Sequence, residues 1–395
     1  MKDPYTKVAC GGMDVHYKFS NVTFRDEHGG VVRRERLRHI QRDSLREHLG
    51  RWPRGIPLVL EASFGWGWLS DELSEAGLDP HLSNCYKLEQ MRKARGWVKT
   101  NKKDADMLSL LPFEATDWWA VWRAPREVRD QREQMRFRGD LVMQQTAVKS
   151  RIHAIFHRHG LFHEFSDLFG VQGRRYLGDL CIGGSPHLSA QALQALRGQV
   201  KLLDHLRGQL ADITRILHRQ LATTPLIGRL KTIPGFGLIL SHVVAAEIGR
   251  IDRFGHHKAL ASYSLLAPRS NDTGEADPDH CPRGRHLGRR GNRTLKWAFI
   301  EAAHGAVRSG GRWRAMFDRV THNGQKDRNR GYIKVARELV KVVYVVWSSG
   351  QNYQPNPPRR PGGDRRQQNT RNLHKKISRS GTGQLSHPMV HASMA

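Results

Sequence analysis

Val8-Ala9-Cys10-Gly11-Gly12-Met13-Asp14-Val15-His16, followed by Phe19-Ser20-Asn21-Val22-Thr23-Phe24, decides the fold of the N-terminal third. Apolar character alternates through both segments, which predicts extended strands. Asp26-Glu27-His28-Gly29-Gly30 supplies a turn and Val31-Val32-Arg33 resumes a strand, so residues 8–35 read as a β-meander. Residues 36–50 are expected to be helical, with Leu37, Ile40, Leu45 and Leu49 on one side. Ile56-Pro57-Leu58-Val59-Leu60 then reads as a short buried strand. It ends at Glu61-Ala62-Ser63 and meets a helix from Trp68 to Ala76. Alternating strand and helix to about residue 122 predicts an α/β domain with a mixed sheet.

Beyond it the period changes. From about Pro125 to His159 a long charged helix is expected, with Val128, Met135, Leu141, Val142, Val148, Ile152 and Ile155 as a partial apolar stripe. Residues 189–221 predict a second, striped by Leu193, Leu196, Val200, Leu203, Leu206, Leu210, Ile213 and Leu217. The spacing suggests a helical hairpin or coiled coil over 123–225. Residues 226–350 read as a second compact, mostly helical region. Residues 351–395 hold eight Lys or Arg and one Asp, with few apolar residues, and read as a disordered basic tail.

The chain has 395 residues, with 65 Lys and Arg against 37 Asp and Glu, a formal net charge of +28. So large an excess points to a polyanionic partner. The basic residues are spread along the chain rather than confined to one amphipathic helix, which favours nucleic acid over lipid. An apolar content of 38% excludes a chain disordered throughout. No run approaches the length of a transmembrane helix. The N-terminus lacks the apolar stretch of a signal peptide, and Cys10, Cys85, Cys181 and Cys281 are scattered without a C-x-x-C pair. Both point to a reducing, cytoplasmic setting.

In a chain poor in carboxylates, acids at the ends of apolar strands need a reason, because a buried unpaired carboxylate is costly. Asp14 and Glu61 each lie at such an end, and Asp104 and Asp106 open a helix after Lys99-Thr100-Asn101-Lys102-Lys103. Singly, Asp14 caps a turn and Asp104 caps a helix. Together, in a basic protein, they form an oxygen-rich pocket for Mg²⁺ (with Mn²⁺ as a substitute), and two such ions clamp the oxygens of phosphoryl transfer. Lys99, Lys102 and Lys103 suit an approaching phosphate backbone.

Two further segments carry chemistry. In Thr232-Ile233-Pro234-Gly235-Phe236-Gly237-Leu238 a helix ends, turns tightly and restarts. Gly235 and Gly237 would let backbone N–H groups grip a phosphate, as in a helix-hairpin-helix element, or they pack two helices together. Downstream, Pro268-Arg269-Ser270-Asn271-Asp272-Thr273-Gly274 precedes a Gly- and Arg-rich strip with Arg289, Arg293 and Lys296. Arginines beside a hydroxyl could bind a phosphate and activate the hydroxyl.

These segments, in this order over roughly residues 8–350, resemble the DEDD transposases of the bridge-RNA-guided insertion-sequence recombinases. Gly12-Met13-Asp14-Val15-His16 resembles the first acidic motif of their RuvC-like, RNase-H-fold domain, and Leu60-Glu61-Ala62-Ser63 the second. Lys99-Thr100-Asn101-Lys102-Lys103-Asp104-Ala105 resembles the third, whose family form is Lys-Thr-Asp-x-x-Asp-Ala. Ile233-Pro234-Gly235-Phe236-Gly237 resembles the opening of their C-terminal transposase domain. Leu266-Ala267-Pro268 with Thr273-Gly274 falls at the family's Pro-x-x-x-x-Ser-Gly loop, and Gly291-Asn292-Arg293-Thr294-Leu295-Lys296 also fits.

The resemblance implies an RNase-H-like N-terminal domain over 1–122 and a transposase domain over 226–350. It implies acids holding Mg²⁺ at a scissile phosphate, and a hydroxyl that attacks it to give a covalent protein–DNA intermediate. It further implies double-stranded DNA at element ends and target, a structured guide RNA, and a dimer or tetramer. Two positions depart from the pattern. Asn101 stands where an acid is usual, with Asp106 as the substitute, and Thr273 stands where serine is usual, with Ser270 as the fallback nucleophile. The rival readings are a junction resolvase or nuclease that uses water, and an inactive nucleic-acid-binding copy.

Overall fold

The computed structural model describes residues 5–96, 101–116, 118–268, 287 and 290–355, with the backbone alone at 101–102 and 221–223. The N-terminal region is a mixed α/β unit. Its strands are β1 (Cys10–Val15), β2 (Phe19–Arg25), β3 (Val31–Arg38), β4 (Pro57–Glu61), β5 (Asp79–Ser83) and β6 (Ala120–Val121). They form one six-stranded sheet in the order β3-β2-β1-β4-β5-β6. β1, β2 and β3 pair antiparallel, β1, β4 and β5 parallel, and β6 antiparallel to β5. Helices α1 (Arg42–Leu49), α2 (Trp66–Glu75), α3 (Cys85–Ala94) and α4 (Asn101–Leu108) cover the sheet.

β1 is buried along its whole length, as a central strand must be. Gly12 has a particular task there. A Cβ on it would lie 2.1 Å from the Ser109 backbone nitrogen and 2.6 Å from the Ala105 carbonyl oxygen. Only glycine lets α4 lie this close to β1, and that approach carries Asp104 toward Asp14.

The helix expected over 36–50 is corrected. Residues 36–38 belong to β3, the helix starts at Arg42, and Ile40 is exposed rather than part of an apolar side. β3 is the sheet edge, and it exposes Arg33, Arg34 and Arg36, charges that solvate an edge strand. Only Leu37 turns into the core, so its spacing to Leu45 and Leu49 is no helical stripe.

The helical remainder begins with α5 (Arg126–Arg158), α6 (Val171–Gly183) and α7 (Ala190–Thr223). It continues with α8 (Pro225–Lys231), α9 (Leu238–Ile248), α10 (His257–Tyr263), α11 (Arg293–Arg308), α12 (Gly311–Thr321) and α13 (Arg328–Ser349). α5 packs along α7, burying Met135, Leu141, Val148, Ile152 and Ile155 against Leu196, Val200, Leu203 and Leu217. Val142, expected in the stripe, is turned to solvent. One apolar core runs from this pair into α8–α13, and separate clusters line the two faces of the sheet. The regions meet where Arg123 donates to Ser70 Oγ at 3.0 Å, where Arg129 pairs with Asp71, and where the Arg290 guanidinium lies over the Tyr86 ring.

Candidate active site

Parallel pairing of β1 with β4 sets Met13 beside Leu60. The next residue of each strand is an acid, so Asp14 and Glu61 leave the same edge of the sheet on neighbouring strands. α4, held close by Gly12, adds Asp104 from its first turn. Asp14 and Asp104 are each only 8% exposed, and Glu61 is half-buried. Burial pushes the Asp14 carboxyl above the usual carboxylate range, the negative charges of Asp104 and Glu61 push the same way, and His16 opposes them. His16 Nε2 lies 3.0 Å from Asp14 Oδ2, a close ion-pair contact. It is not aligned as a hydrogen bond, so Asp14 Oδ2 and His16 Nε2 lack a hydrogen-bond partner among the described residues.

The donor set suits a hard divalent cation: carboxylate oxygens, one orphaned and buried. Among the described residues no three His, Cys, Asp or Glu side chains are gathered tightly enough to hold a metal.

Asp106 has another occupation. Its carboxylate accepts from Thr23 Oγ1 at 2.8 Å and from Arg34 at 2.9 and 3.1 Å. Burial works to raise its pKa, but those bonds hold it below the usual range. Asn101 and Lys102 lie in the first turn of α4, and Lys103 is exposed on it. Lys99, Arg269, Ser270, Thr273 and Arg289 lie outside the described residues.

The two glycines of the hairpin have different roles. Gly235 has a left-handed φ of +88°, and a Cβ there would lie 2.0 Å from the Ala302 carbonyl oxygen. It is a packing glycine against α11, the packing alternative open for this turn. Gly237 precedes α9 with open space around it. Arg293 is exposed at the start of α11 and Lys296 is half-buried a turn later.

Sequence reasoning missed a buried network in the helical region. Glu247 is fully buried, yet it accepts from Arg136 at 2.9 and 3.0 Å and from Asn292 Nδ2 at 2.7 Å, with Arg132 3.7 Å away. Asn292 also caps α11 by accepting from Leu295 N, and its own N–H donates to the Tyr263 carbonyl. Pro268 bridges to Leu287. The chain before 269 and the chain after 286 are thus pinned together. A lone acid in the apolar run of α9, with Arg132 and Arg136 four apart on α5, was the available signal.

Residues 228–318 match the IS116/IS110/IS902 transposase family. An uncharacterized 43.6 kDa protein of the insertion element IS110 of Streptomyces coelicolor is 29% identical over 170 residues, 43% of this chain and 38% of that one. The transposase for insertion sequence element IS1328 of Yersinia enterocolitica is 23% identical over 348 residues, 86% of this chain and 96% of that one. An uncharacterized 44.8 kDa protein of the element IS116 of Streptomyces clavuligerus is 24% identical over 200 residues, covering 49% of its length. The chain thus spans less than half of two of these relatives and nearly all of the third. The class they define is the insertion-sequence transposases. Within it, residues 228–318 of this chain are similar to the IS116/IS110/IS902 family, and the longer matches are to proteins of such elements. Among the described residues no helix is long and apolar enough to cross a membrane.

Proposed function

We propose that this chain cleaves and exchanges DNA strands for an insertion sequence, through an RNase-H-like acidic site and a hydroxyl nucleophile. The observation that carries the reading is the convergence of Asp14, Glu61 and Asp104 at one edge of a mixed sheet. Asp14, Glu61 and Asp104, with Asn101 contributing a neutral oxygen, would hold Mg²⁺, which neutralises charge developing on a scissile phosphate. His16, beside Asp14, orients that carboxylate. Thr273 supplies the hydroxyl, with Ser270 second. Its oxygen bonds to phosphorus, its proton is lost, and the departing sugar oxygen takes a proton. One phosphodiester replaces another, so no outside energy source is needed. Lys103, Arg293 and Lys296, with Lys99, Lys102, Arg269 and Arg289, would bear on backbone phosphates. The partners in this reading are DNA at element ends and target, a structured guide RNA that reads sequence by base pairing, and further copies of the chain.

The test is a covalent trap. Denaturing gels of the protein with end-labelled element DNA and Mg²⁺ should show a protein–DNA adduct, lost in Thr273→Ala and in Asp14→Asn. Cleavage without an adduct would replace the hydroxyl by water. An adduct that survives Thr273→Ala moves the nucleophile, with Ser270→Ala the next variant.

A further inference from the structure

Three aromatic side chains are more than four-fifths exposed among the described residues: Tyr17 at 89%, Phe64 at 97% and Phe162 at 89%. A single exposed aromatic is unremarkable. The position of the first two is not. Tyr17 follows Asp14 by three residues and Phe64 follows Glu61 by three. Their strands β1 and β4 are parallel neighbours, so both rings leave the sheet at the edge that carries the acids.

Neither ring sits on a loose loop. Tyr17 is at the tip of a tight hairpin closed by His16 N–H donating to Phe19 O at 2.9 Å, and His39 N–H donates to Lys18 O at 3.0 Å. Phe64 lies in a turn anchored by Ala62 N–H to Ser83 O at 3.1 Å, and Gly65 then takes a left-handed φ of +90° to start α2. The backbone holds each ring outward, where it has no core to join. Lys18, Arg36 and Arg38 are exposed beside the Tyr17 hairpin, placing positive charge next to the ring.

Rigid exposed aromatics with cations around them are how proteins hold unpaired bases, since every base has a face to stack. We propose that Tyr17 and Phe64 stack on unpaired bases of the DNA strand on either side of the phosphate held at Asp14 and Glu61. The inference rests on the reading of those acids as the strand-cleaving site. It adds which side chains hold the opened strand beside the acids.

Full-length protein is titrated, in EDTA, against a labelled duplex, the same duplex with a central unpaired bubble, and single-stranded RNA of the bubble sequence. Tyr17→Ala and Phe64→Ala should each weaken bubble binding by about 5- to 150-fold, the loss of one stacked base. Duplex binding should hold within about twofold, since backbone contacts are untouched. Phe64→Trp should restore bubble binding, and 2-aminopurine in the bubble should lose its protein-induced fluorescence change in the alanine variants. Unchanged bubble affinity, equal loss on bubble and duplex, or loss on RNA alone overturns the proposal. The assay is metal-free, so it does not depend on cleavage. If Asp14→Asn still cleaves DNA, the acid reading fails while the binding result stands separately.

Discussion

Glu247 in the helical region and Asp14 in the sheet region are both buried carboxylates, but their surroundings have opposite sign. Glu247 is met by two arginines and an asparagine, of which Arg132 and Asn292 also bond to backbone. Its charge is neutralised on the spot, and the network ties α5 to α9 and to the cap of α11. Glu72 repeats the pattern with Arg42 and Arg46. Asp14 is met by two more acids and one histidine, and among the described residues one of its oxygens has no hydrogen-bond partner. A protein with 65 Lys and Arg could have placed an arginine there. A compensated acid holds the fold together. An uncompensated one costs stability, and in the proposed function that cost is met by a cation arriving with the substrate.

The largest effect expected from this contrast is on catalysis. Asp14→Asn should lower strand cleavage by about a thousandfold, the scale of losing several kcal/mol of charge stabilisation. The same change should raise the melting temperature. The Asp14 pKa is raised by burial and by its acidic neighbours, so the stability it contributes is present at low pH and lost as pH rises through the ordinary carboxylate value to the raised one. At neutral pH the neutral amide removes that cost. A variant that is both inactive and less stable would break the contrast, because Asp14 would then be structural like Glu247.

Glu247→Ala should do the reverse. It leaves Arg132 and Arg136 without their acid and Asn292 without its acceptor, at about 3 kcal/mol by denaturant unfolding. Arg136 reaches solvent, which places the cost at the low end for a broken buried pair. Next comes the glycine pair. Gly235→Ala forces a Cβ onto the Ala302 carbonyl and strains a left-handed residue, for a loss of about 2 kcal/mol or more. Gly237→Ala, in open space at φ −88°, should change stability by less than about 0.5 kcal/mol. A loss at Gly235→Ala as small as that at Gly237→Ala would show that Gly235 is not a packing glycine.

How much of this the sequence discloses follows from the range of the interactions. The strands carrying Asp14 and Glu61 are legible because each is a local apolar run ending in an acid. The long helices are legible because periodicity is local. The end of β3 is not, since Arg33-Arg34-Glu35-Arg36 looks polar in either state and only its place at the sheet edge decides. The choice between phosphate grip and packing at Gly235 stays open in the sequence because the carbonyl it meets is 67 residues downstream. The Glu247 network spans 111 residues to Arg136 and 45 to Asn292, so no window along the chain contains it. Asp106 is the sharpest case, because its spacing from Asp104 makes it look like a spare ligand, and only the β2–β3 pairing brings Thr23 and Arg34 to it.

Asp106 therefore gives the smallest and most discriminating comparison. It stands two residues from Asp104 but belongs by environment with Glu247. Its bonds to Arg34 and Thr23 hold its pKa low, so it contributes stability above the ordinary carboxylate pKa that is lost as pH falls through the lowered value. Arg34 is partly exposed, which limits the worth of the pair to about 1 kcal/mol. Asp106→Asn should cost that much near neutral pH, and the difference from the parent protein should vanish in acid. Cleavage should fall by no more than about tenfold, against a thousandfold for Asp14→Asn. If cleavage instead collapses in Asp106→Asn while stability is unchanged, its bond to Arg34 is not what defines it. The line between compensated and uncompensated acids would then no longer run through α4, and Asp106 would stand with Asp104 and Asp14.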